Sequence, residues 1–400
     1  MGAQEHTTAR RRVLIASASV GAGHASAARA ISDGLRSAMP DADIDVRDVL
    51  TLTSRLFRLY YAGGYSTAVS KFPFFYGLGF RLSDRPHTAR RSLRERRRLW
   101  TEWRCLQPFV RYVLETRPDL VIHVHFVACP ALARLARRGR LDAPQVVVVT
   151  DILMHRFWYS EGVDHWFVPA EPTAERLRRW GVEPQRITVS GMPIQAKWTQ
   201  PVVRERVLAD WHLPADRPIV LLAGGVEFTC GPIVRIARAI RQACPGAFVG
   251  VLAGRNKKLL GKLSQLPEAG TDLAAFAFTD RVHELVSVCS LMVTKAGGLS
   301  TAECLARGTP MVVMKPVPGQ EAGNAAYLAD HGAAVVTRGR REVVEHVRRL
   351  LQDREALARM ARAARDLYRP GTETIVDAIR SALTVDGRGA TSRARERRSP

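Results

Sequence analysis

The chain contains 400 residues, of which 46% are apolar and 24% charged, a composition typical of soluble globular proteins with room for two large cores. No stretch reaches the roughly 18 uninterrupted apolar residues that a membrane-spanning helix needs. The polar segment Met1–Arg12 is unlike a secretory signal, so we expect a cytoplasmic protein. The formal net charge of +22, carried mainly by arginine, favours polyanionic partners such as anionic lipid, nucleotides or nucleic acid.

Six cysteines are scattered along the sequence, at positions 105, 129, 230, 244, 289 and 304. None belongs to a C-x-x-C pair, and no histidines accompany them at zinc-binding spacing. We therefore expect reduced thiols and no zinc site.

The first predicted strand is the apolar run Val13–Ser17, which a glycine turn containing Gly21 and Gly23 joins to a helix predicted over Ala25–Arg36. The turn lacks the third glycine of a G-x-G-x-x-G dinucleotide motif. His24 would stand at the start of this helix, at the mouth of the sheet. A histidine whose pKa lies near 6.5 can act as a general base at neutral pH. Capping of the turn, or binding of a phosphate, is the alternative role.

Residues 52–82 form an aromatic stretch with few charges, and the arginine-rich segment 85–98 follows it. An apolar aromatic surface beside a cationic one suits a protein that lies on an anionic bilayer without crossing it. The candidate contact residues are Tyr60, Tyr61, Phe74, Phe75 and Trp100. Alternatively, these aromatics form core beneath a pair of helices, or a platform for single-stranded nucleic acid. No RNP, KH or zinc-finger pattern supports the latter, so we expect no nucleic-acid partner.

Two further buried strands are predicted at Asp119–Ile122 and Gln145–Val149. The polar residues that follow them are His123, His125, Thr150, Asp151 and His155. Because the carboxyl ends of parallel strands converge on one crevice, these residues are candidates for a site. Asp151 could orient a catalytic histidine or raise its basicity, and His155 is the alternative base and a candidate contact for the acceptor. For His123 and His125 we favour a structural role as polar ends of a core strand.

The second half of the chain repeats the organisation of the first. Ile187–Ile194 is predicted to contain the last strand of the first half and its exit, and a linker at residues 194–217 follows. Ile219–Ala223 then restarts a sheet, and a glycine loop leads into a helix predicted over Gly231–Ala243. The sequence therefore predicts an α/β protein with two doubly wound, Rossmann-like domains facing each other across a cleft.

The most informative stretch runs from Leu291 to Asn324. A short strand, Leu291–Val293, ends in the turn Thr294–Gly298, and a helix is predicted over Ser300–Arg307. Such a turn leaves backbone N–H groups unpaired at a helix start, where the helix dipole also favours an anion. The strand Met311–Met314 and a proline-containing loop at residues 316–320 follow.

One nucleotide sugar could use all the polar groups of this stretch. Backbone amides at the turn would hold the diphosphate, Glu303 the ribose hydroxyls, and an amide and an acid near the next helix start the sugar hydroxyls. Each part also has a structural interpretation: a common glycine turn, a first-turn acid that complements the helix dipole, and a solvated Lys295. Arg255, after a strand predicted at Phe248–Ala253, could meet the diphosphate or simply be solvated.

At these residues the sequence resembles the glycosyltransferase family of plant monogalactosyldiacylglycerol synthase and bacterial processive diacylglycerol glucosyltransferase. The resemblance lies in Thr-Lys-Ala-Gly-Gly at 294–298, Glu303, Pro-Val-Pro-Gly-Gln-Glu at 316–321, Asn324, the glycine turn before His24, and the stretch after Thr150. It implies a GT-B fold, a UDP-sugar donor, no essential metal or cofactor, and inversion at the anomeric carbon. It also supports membrane contact by the aromatic segment, because the family's acceptor lies in the bilayer.

The resemblance also implies roles for individual residues. His24 would take the proton of the acceptor hydroxyl, with Asp151 assisting. The implied donor-binding residues are Lys295, Ala296, Gly297, Gly298, Ser300 and Arg255 for the diphosphate, Glu303 for ribose, Val282 and His283 near uracil, and Gln320, Glu321 and Asn324 for the hexose. The domains would span residues 13–193 and 218–369, between an arm at 1–12 and a disordered basic tail at 386–400, and a last helix at 370–385 would cross back to the first domain.

The implied activity is transfer of a hexose, glucose or galactose, from a UDP-sugar to a lipid hydroxyl, with diacylglycerol as the expected acceptor. The reaction would take place at the cytoplasmic face of the membrane, to which the protein would bind peripherally. Alternatives are a transferase with a soluble natural-product or other lipid acceptor, a non-hydrolysing UDP-sugar 2-epimerase, and a non-catalytic UDP-sugar sensor at the membrane.

Overall fold

A computed structural model describes residues 10–64, 73–84, 93–225, 232–314 and 316–385. Most of the predicted N-terminal arm, part of the arginine-rich segment, the predicted helix start at Gly231 and the tail at 386–400 lie outside the described residues. The side chains of Tyr60 and Phe74 also lie outside them.

The fold contains two six-stranded parallel sheets, which confirms the predicted α/β class with two doubly wound units. The N-terminal sheet has the strand order β2-β1-β3-β4-β5-β6, and its strands are β1 (Arg12–Ser17), β2 (Asp43–Asp48), β3 (Leu120–His123), β4 (Gln145–Val148), β5 (His165–Val168) and β6 (Ile187–Val189). The C-terminal sheet has the order β12-β11-β10-β7-β8-β9, and its strands are β7 (Ile219–Ala223), β8 (Phe248–Gly254), β9 (Leu273–Ala277), β10 (Leu291–Thr294), β11 (Met311–Met314) and β12 (Ala334–Thr337).

Helices connect the strands and cover the sheets. In the N-terminal half they are α1 (Gly23–Ala38), α2 (Arg55–Arg58), α3 (Pro73–Ser83), α4 (Leu93–Cys105), α5 (Gln107–Thr116), α6 (Cys129–Arg137) and α7 (Glu171–Arg179). Beyond the linker they are α8 (Arg204–Asp210), α9 (Ile233–Ala243), α10 (Lys257–Ser264), α11 (Val282–Val288), α12 (Gly298–Arg307), α13 (Gln320–Asp330), α14 (Arg340–Gln352), α15 (Arg354–Leu367) and α16 (Gly371–Val385). No helix in these described parts is both long and apolar enough to cross a bilayer.

Glycines lie at several helix and strand ends. Helices α1 and α12 begin at Gly23 and Gly298, two residues before the predicted starts, because the permissive backbone of glycine can take helical angles as well as those of a turn. Strand β6 ends at Val189, and the predicted exit up to Ile194 follows it. Gly191 has a φ of +88°, which removes the chain from the extended conformation and ends the strand.

The last helix returns to the N-terminal half of the molecule. Helix α16 packs on α1, where a Cβ added at Gly34 would lie 2.8 Å from Val376 Cγ2. The apolar residues that α16 buries are Ile375, Val376, Ile379 and Leu383. They join one continuous core cluster with Ile31 and Leu35 of α1 and with residues of both sheets. The two halves therefore share a core.

Candidate active site

The N-termini of two helices meet at the carboxyl ends of the two sheets. A Cβ added at Gly23, the first residue of α1, would lie 3.8 Å from Leu299 Cδ2 in the first turn of α12. At Gly298 an added Cβ would overlap the carbonyl oxygen of Thr150. Glycine at this position therefore lets the loop after β4 approach the backbone of α12. As a result His24 lies beside the predicted diphosphate-binding turn.

His24 is held in an orientation that leaves one ring nitrogen available. Its Nδ1 lies 2.9 Å from the carbonyl oxygen of Val124 and 3.3 Å from Thr150 Oγ1. A carbonyl only accepts hydrogen bonds, so Nδ1 carries the proton and Nε2 carries the lone pair. Burial lowers the pKa of His24 to about 4, against the raising effect of the Val124 bond. The ring is therefore neutral at pH 7 and able to accept a proton at Nε2.

Asp151 does not orient His24, contrary to that part of the sequence prediction. Within the described residues the polar contacts of the His24 ring are with Val124 and Thr150, whereas the Asp151 carboxylate accepts a hydrogen bond from Trp158. Burial, together with the charge of Glu321, raises the pKa of Asp151 to about 7, although the hydrogen bond from Trp158 acts in the opposite direction. Asp151 therefore faces the C-terminal half of the site, a position set by the tertiary fold.

His155 serves the structure rather than the reaction. Its Nδ1 accepts the N–H of Phe157 at 3.1 Å, and its Nε2 lies 3.2 Å from both the Phe80 carbonyl oxygen and Ser83 Oγ. Because Nδ1 accepts, Nε2 is the protonated nitrogen and donates to α3. Both nitrogens are thus occupied, which argues against the alternative that His155 is the base.

His123 and His125, for which a structural role was expected, both lie in the interior. His123 is fully buried, and its Nε2 lies 3.1 Å from Gln145 Oε1. His125 is 3% exposed, and its Nδ1 accepts the N–H of Val127 at 3.1 Å.

The turn after β10 has the geometry of an anion site. Gly297 is the N-cap of α12 and has no side chain to occupy the first-turn amides, and Ser300 lies half-buried in that turn. Ala296 is fully buried. Lys295 Nζ forms an ion pair of 2.9 Å with Glu321 Oε1, and Glu321 Oε2 accepts the N–H of Val317 at 3.3 Å. The turn, a cation and the start of α13, where half-buried Gln320 lies, thus come together.

Glu303 lies on α12, one turn beyond this site. The side chain is half-buried, and burial raises its pKa to about 8, while the charge of Lys197 acts in the opposite direction. Lys197 in turn donates a hydrogen bond of 2.7 Å to the Asp280 carbonyl oxygen. A carboxyl group with a raised pKa in a cleft is a feature of ligand sites.

Asn324 joins the two halves of the molecule, whereas its contact with the donor sugar stays a prediction. The side chain is fully buried. Its Oδ1 accepts the N–H of Ile152 at 2.9 Å, and its Nδ2 donates to the Ala296 carbonyl oxygen at 3.0 Å. Both ends of the amide are therefore used between the loop after β4 and the turn after β10.

The remaining donor candidates lie at neighbouring loop positions. Arg255 is exposed after β8, and its guanidinium carbon lies 4.5 Å from the centre of the Phe278 ring. Val282 and His283 begin α11. The His283 ring lies 6.1 Å from the Trp198 ring, and burial lowers the pKa of His283.

The predicted membrane-contact residues divide into exposed and packed ones. Phe75 and Trp100 are 69% and 59% exposed. Tyr61 instead packs 5.5 Å from the Phe57 ring and 6.0 Å from the His125 ring, so this aromatic belongs to the core. Sequence reasoning missed the exposed leucines of the same region, which are Leu56, Leu59, Leu78 and Leu82. These leucines lie on α2, in the turn after it and on α3. Their exposure depends on the orientation of these helices, which the sequence does not reveal.

Within the described residues, no group of three or more histidine, cysteine, aspartate or glutamate side chains is arranged to hold a metal ion.

Comparison with solved structures defines the class. MurG of Acinetobacter baumannii superposes with a TM-score of 0.59 at 17% identity, over 93% of this chain and 99% of MurG. Anabaena HepE, solved in complex with UDP, gives 0.57 at 16% identity, over 94% and 100%. The fold is that of the GT-B glycosyltransferases.

Sequence comparison defines the family. Residues 24–194 match the model of monogalactosyldiacylglycerol (MGDG) synthase, and residues 245–379 match that of the glycosyltransferase family 28 C-terminal domain. The processive diacylglycerol beta-glucosyltransferase of Bacillus cytotoxicus is 31% identical over 265 residues, which are 66% of this chain and 68% of that protein. The chain belongs to this family of diacylglycerol glycosyltransferases and is a glycosyltransferase, which confirms the resemblance. Family membership does not support the epimerase and sensor alternatives.

Proposed function

We propose that this protein transfers a hexose from a UDP-sugar to the hydroxyl group of diacylglycerol, with inversion at the anomeric carbon. Glucose is the first candidate sugar, because the relative at 31% identity is named a diacylglycerol beta-glucosyltransferase. The observation that carries the proposal is the placement of His24, with Nε2 carrying the lone pair, beside the open helix start of α12.

The donor would be held mainly by the C-terminal half. The first-turn amides of α12 and the positive end of its dipole suit the diphosphate, with Lys295 as the nearby cation. Glu303 would accept hydrogen bonds from the ribose hydroxyls, and Gln320 and Glu321 would contact the hexose. Since Glu321 already pairs with Lys295 at 2.9 Å, the diphosphate and hexose contacts are coupled through this ion pair.

The acceptor oxygen would attack the anomeric carbon from the face opposite UDP. The new carbon–oxygen bond forms as the bond to the β-phosphate oxygen breaks, and UDP leaves with the bonding electrons. The acceptor proton passes to Nε2 of His24, a general-base step that typically contributes a factor of about 10² to 10⁴. Attack from the opposite face inverts the anomeric configuration.

The protein would carry out this step without a metal ion. The helix dipole and Lys295 would offset the negative charge of the leaving diphosphate. Activity in the presence of excess EDTA should equal activity with added Mg²⁺, and a requirement for Mg²⁺ would contradict this part of the proposal.

The acceptor would be reached at the cytoplasmic face of the membrane, by peripheral binding. Exposed apolar residues on α3 and α4, such as Phe75, Leu82 and Trp100, stand among arginines in a chain of net charge +22. This combination favours adsorption to an anionic bilayer.

The experiment is product formation by the purified protein with liposomes of phosphatidylglycerol and diacylglycerol, using UDP-glucose and UDP-galactose in parallel. His24→Ala should lose glycolipid formation by about 10² or more while it retains UDP binding. His331→Ala is the matched control, because this histidine is exposed at the end of α13. Release of UDP without glycolipid would mean a different acceptor, and full activity of His24→Ala would exclude His24 as the base.

A further inference from the structure

Helix α3 touches both halves of the site although it lies on the exposed apolar surface. On its outer side Phe75, Leu78 and Leu82 are 69%, 47% and 61% exposed. Other residues of the same helix pack on the loop after β4 and on the loop before α13. The helix therefore joins the surface that suits a membrane to two loops of the site.

The C-terminal end of α3 is fixed to the N-terminal half. His155 Nε2 lies 3.2 Å from the Phe80 carbonyl oxygen, and the two rings are 4.4 Å apart. Asp84 Oδ1 accepts the N–H of Arg156 at 2.9 Å, and Asp84 also pairs with Arg176. These bonds satisfy polar groups at the helix end and hold α3 in register with the loop that carries Thr150.

The middle of α3 contacts the loop at residues 316–319 in the C-terminal half. A Cβ added at Gly77 would overlap Pro318 Cβ. A Cβ added at Gly319, whose φ is +115°, would lie 3.3 Å from Phe80 Cγ. Glycine at each of these positions allows helix and loop to approach closely. The loop leads directly into Gln320 and Glu321 of α13.

We propose that Gly77 and Phe80 position the loop at residues 316–319 for binding of the hexose, and that docking of α3 on a bilayer favours the arrangement that binds the donor. The inference rests on the proposed function in assuming that α3 contacts the membrane and that Gln320 and Glu321 contact the hexose of the donor. Since membrane and donor stabilise the same arrangement, linkage makes the effect reciprocal. If the membrane increases the affinity for the donor by some factor, the donor increases the affinity for the membrane by the same factor.

The helix offers a matched pair of variants. Gly77→Ala and Gly79→Ala both replace glycine in one helix, but an added Cβ meets Pro318 at Gly77 and nothing within 4 Å at Gly79. Gly77→Ala should raise the KM for UDP-glucose at least about fivefold, with a smaller change in kcat, and Gly79→Ala should resemble the wild type. Phe80→Leu, which removes the ring from Gly319, is measured as well in case Gly77→Ala does not fold. Unchanged KM in the folded variants would overturn the proposal.

Linkage is tested with vesicles of phosphatidylglycerol and phosphatidylcholine that lack diacylglycerol. The Kd for UDP-glucose is measured with and without vesicles, and vesicle binding with and without UDP-glucose. We expect the same factor in both directions, about fivefold or more, and its loss in Gly77→Ala. Absence of any linkage would overturn this inference even if glycolipid forms, whereas linkage without glycolipid formation would leave it standing and contradict only the proposed acceptor.

Discussion

At the scale of single residues, the ionisation of His24 determines how kcat should depend on pH. Because burial lowers its pKa to about 4, the imidazole should remain a competent base throughout the range from pH 5 to pH 8. With saturating UDP-glucose, kcat should therefore show no acidic limb near pH 6.5. An acidic limb near pH 6.5 in both the wild type and the control His331→Ala would assign His24 an ordinary pKa and contradict the prediction.

For donor binding, in contrast, we predict a clear dependence on pH because of Glu303. Its pKa of about 8 in the free protein means that the carboxyl group is largely protonated at pH 7, whereas hydrogen bonds from ribose favour the carboxylate. Binding of UDP should therefore release a proton, and affinity should rise as the pH increases to about 8 and then level off. Calorimetry in two buffers of different ionisation enthalpy measures the proton release. Glu303→Gln should remove the pH dependence, and a persistent dependence would assign it to another group.

At the scale of elements, Asn324 is expected to hold two loops together. Asn324→Ala leaves the Ile152 N–H and the Ala296 carbonyl group unsatisfied in the interior, at a cost of about 1 to 3 kcal/mol for each group. Thermal unfolding should move several degrees lower, and UDP affinity should fall because the turn after β10 loses its support. Both quantities are measured on the purified variant.

Asp353→Ala is the control for this prediction, because Asp353 caps α15 within the C-terminal half. Its loss should lower stability by about 1 kcal/mol and leave UDP affinity unchanged. If Asn324→Ala lost affinity for the UDP-sugar with no change in stability, the side chain would face the donor as the sequence pattern first indicated.

The turn after β10 and helix α13 also show how much of the site the sequence can predict. The strand, glycine turn and helix of residues 291–307 follow from local patterns, and so does the place of the anion. The role of Asn324 does not, because an amide near the start of α13 looks the same in sequence whether it points to a ligand or to the other domain. Gly77 and Gly298 likewise owe their importance to close approaches between segments far apart in the chain. Such contacts depend on how the halves are placed.

At the scale of the whole molecule, the exposed apolar side chains should govern membrane binding. A Leu78→Ser and Leu82→Ser double variant removes two exposed leucines, each worth on the order of 1 kcal/mol when buried in lipid. Binding to phosphatidylglycerol vesicles should weaken about thirtyfold, as measured by co-sedimentation. Val203→Ser is the control, because Val203 is 65% exposed before α8. Equal binding by both variants and the wild type would place the membrane contact elsewhere.

The sequence alone also could not show which aromatic residues of the stretch 52–82 are packed in the core and which are exposed. Tyr61 and Phe75 have the same type of neighbours in the chain, yet Tyr61 packs against Phe57 and His125 while Phe75 is exposed. Composition predicts that a surface of this kind exists, but the helix orientations determine which residues form it.

The packing of α16 on α1 has a consequence for the order in which the protein is synthesised. Helix α1 is completed near residue 38, whereas its partner begins at Gly371. Ribosomes add residues at about 5 to 20 per second, so the interval lasts on the order of tens of seconds. Throughout it, Ile31 and Leu35 lack the neighbours that Val376 and Ile379 supply in the shared core. The first half of the molecule is thus completed by a helix that is synthesised long after it, and a nascent chain that stalls before residue 371 presents an open apolar stripe to chaperones.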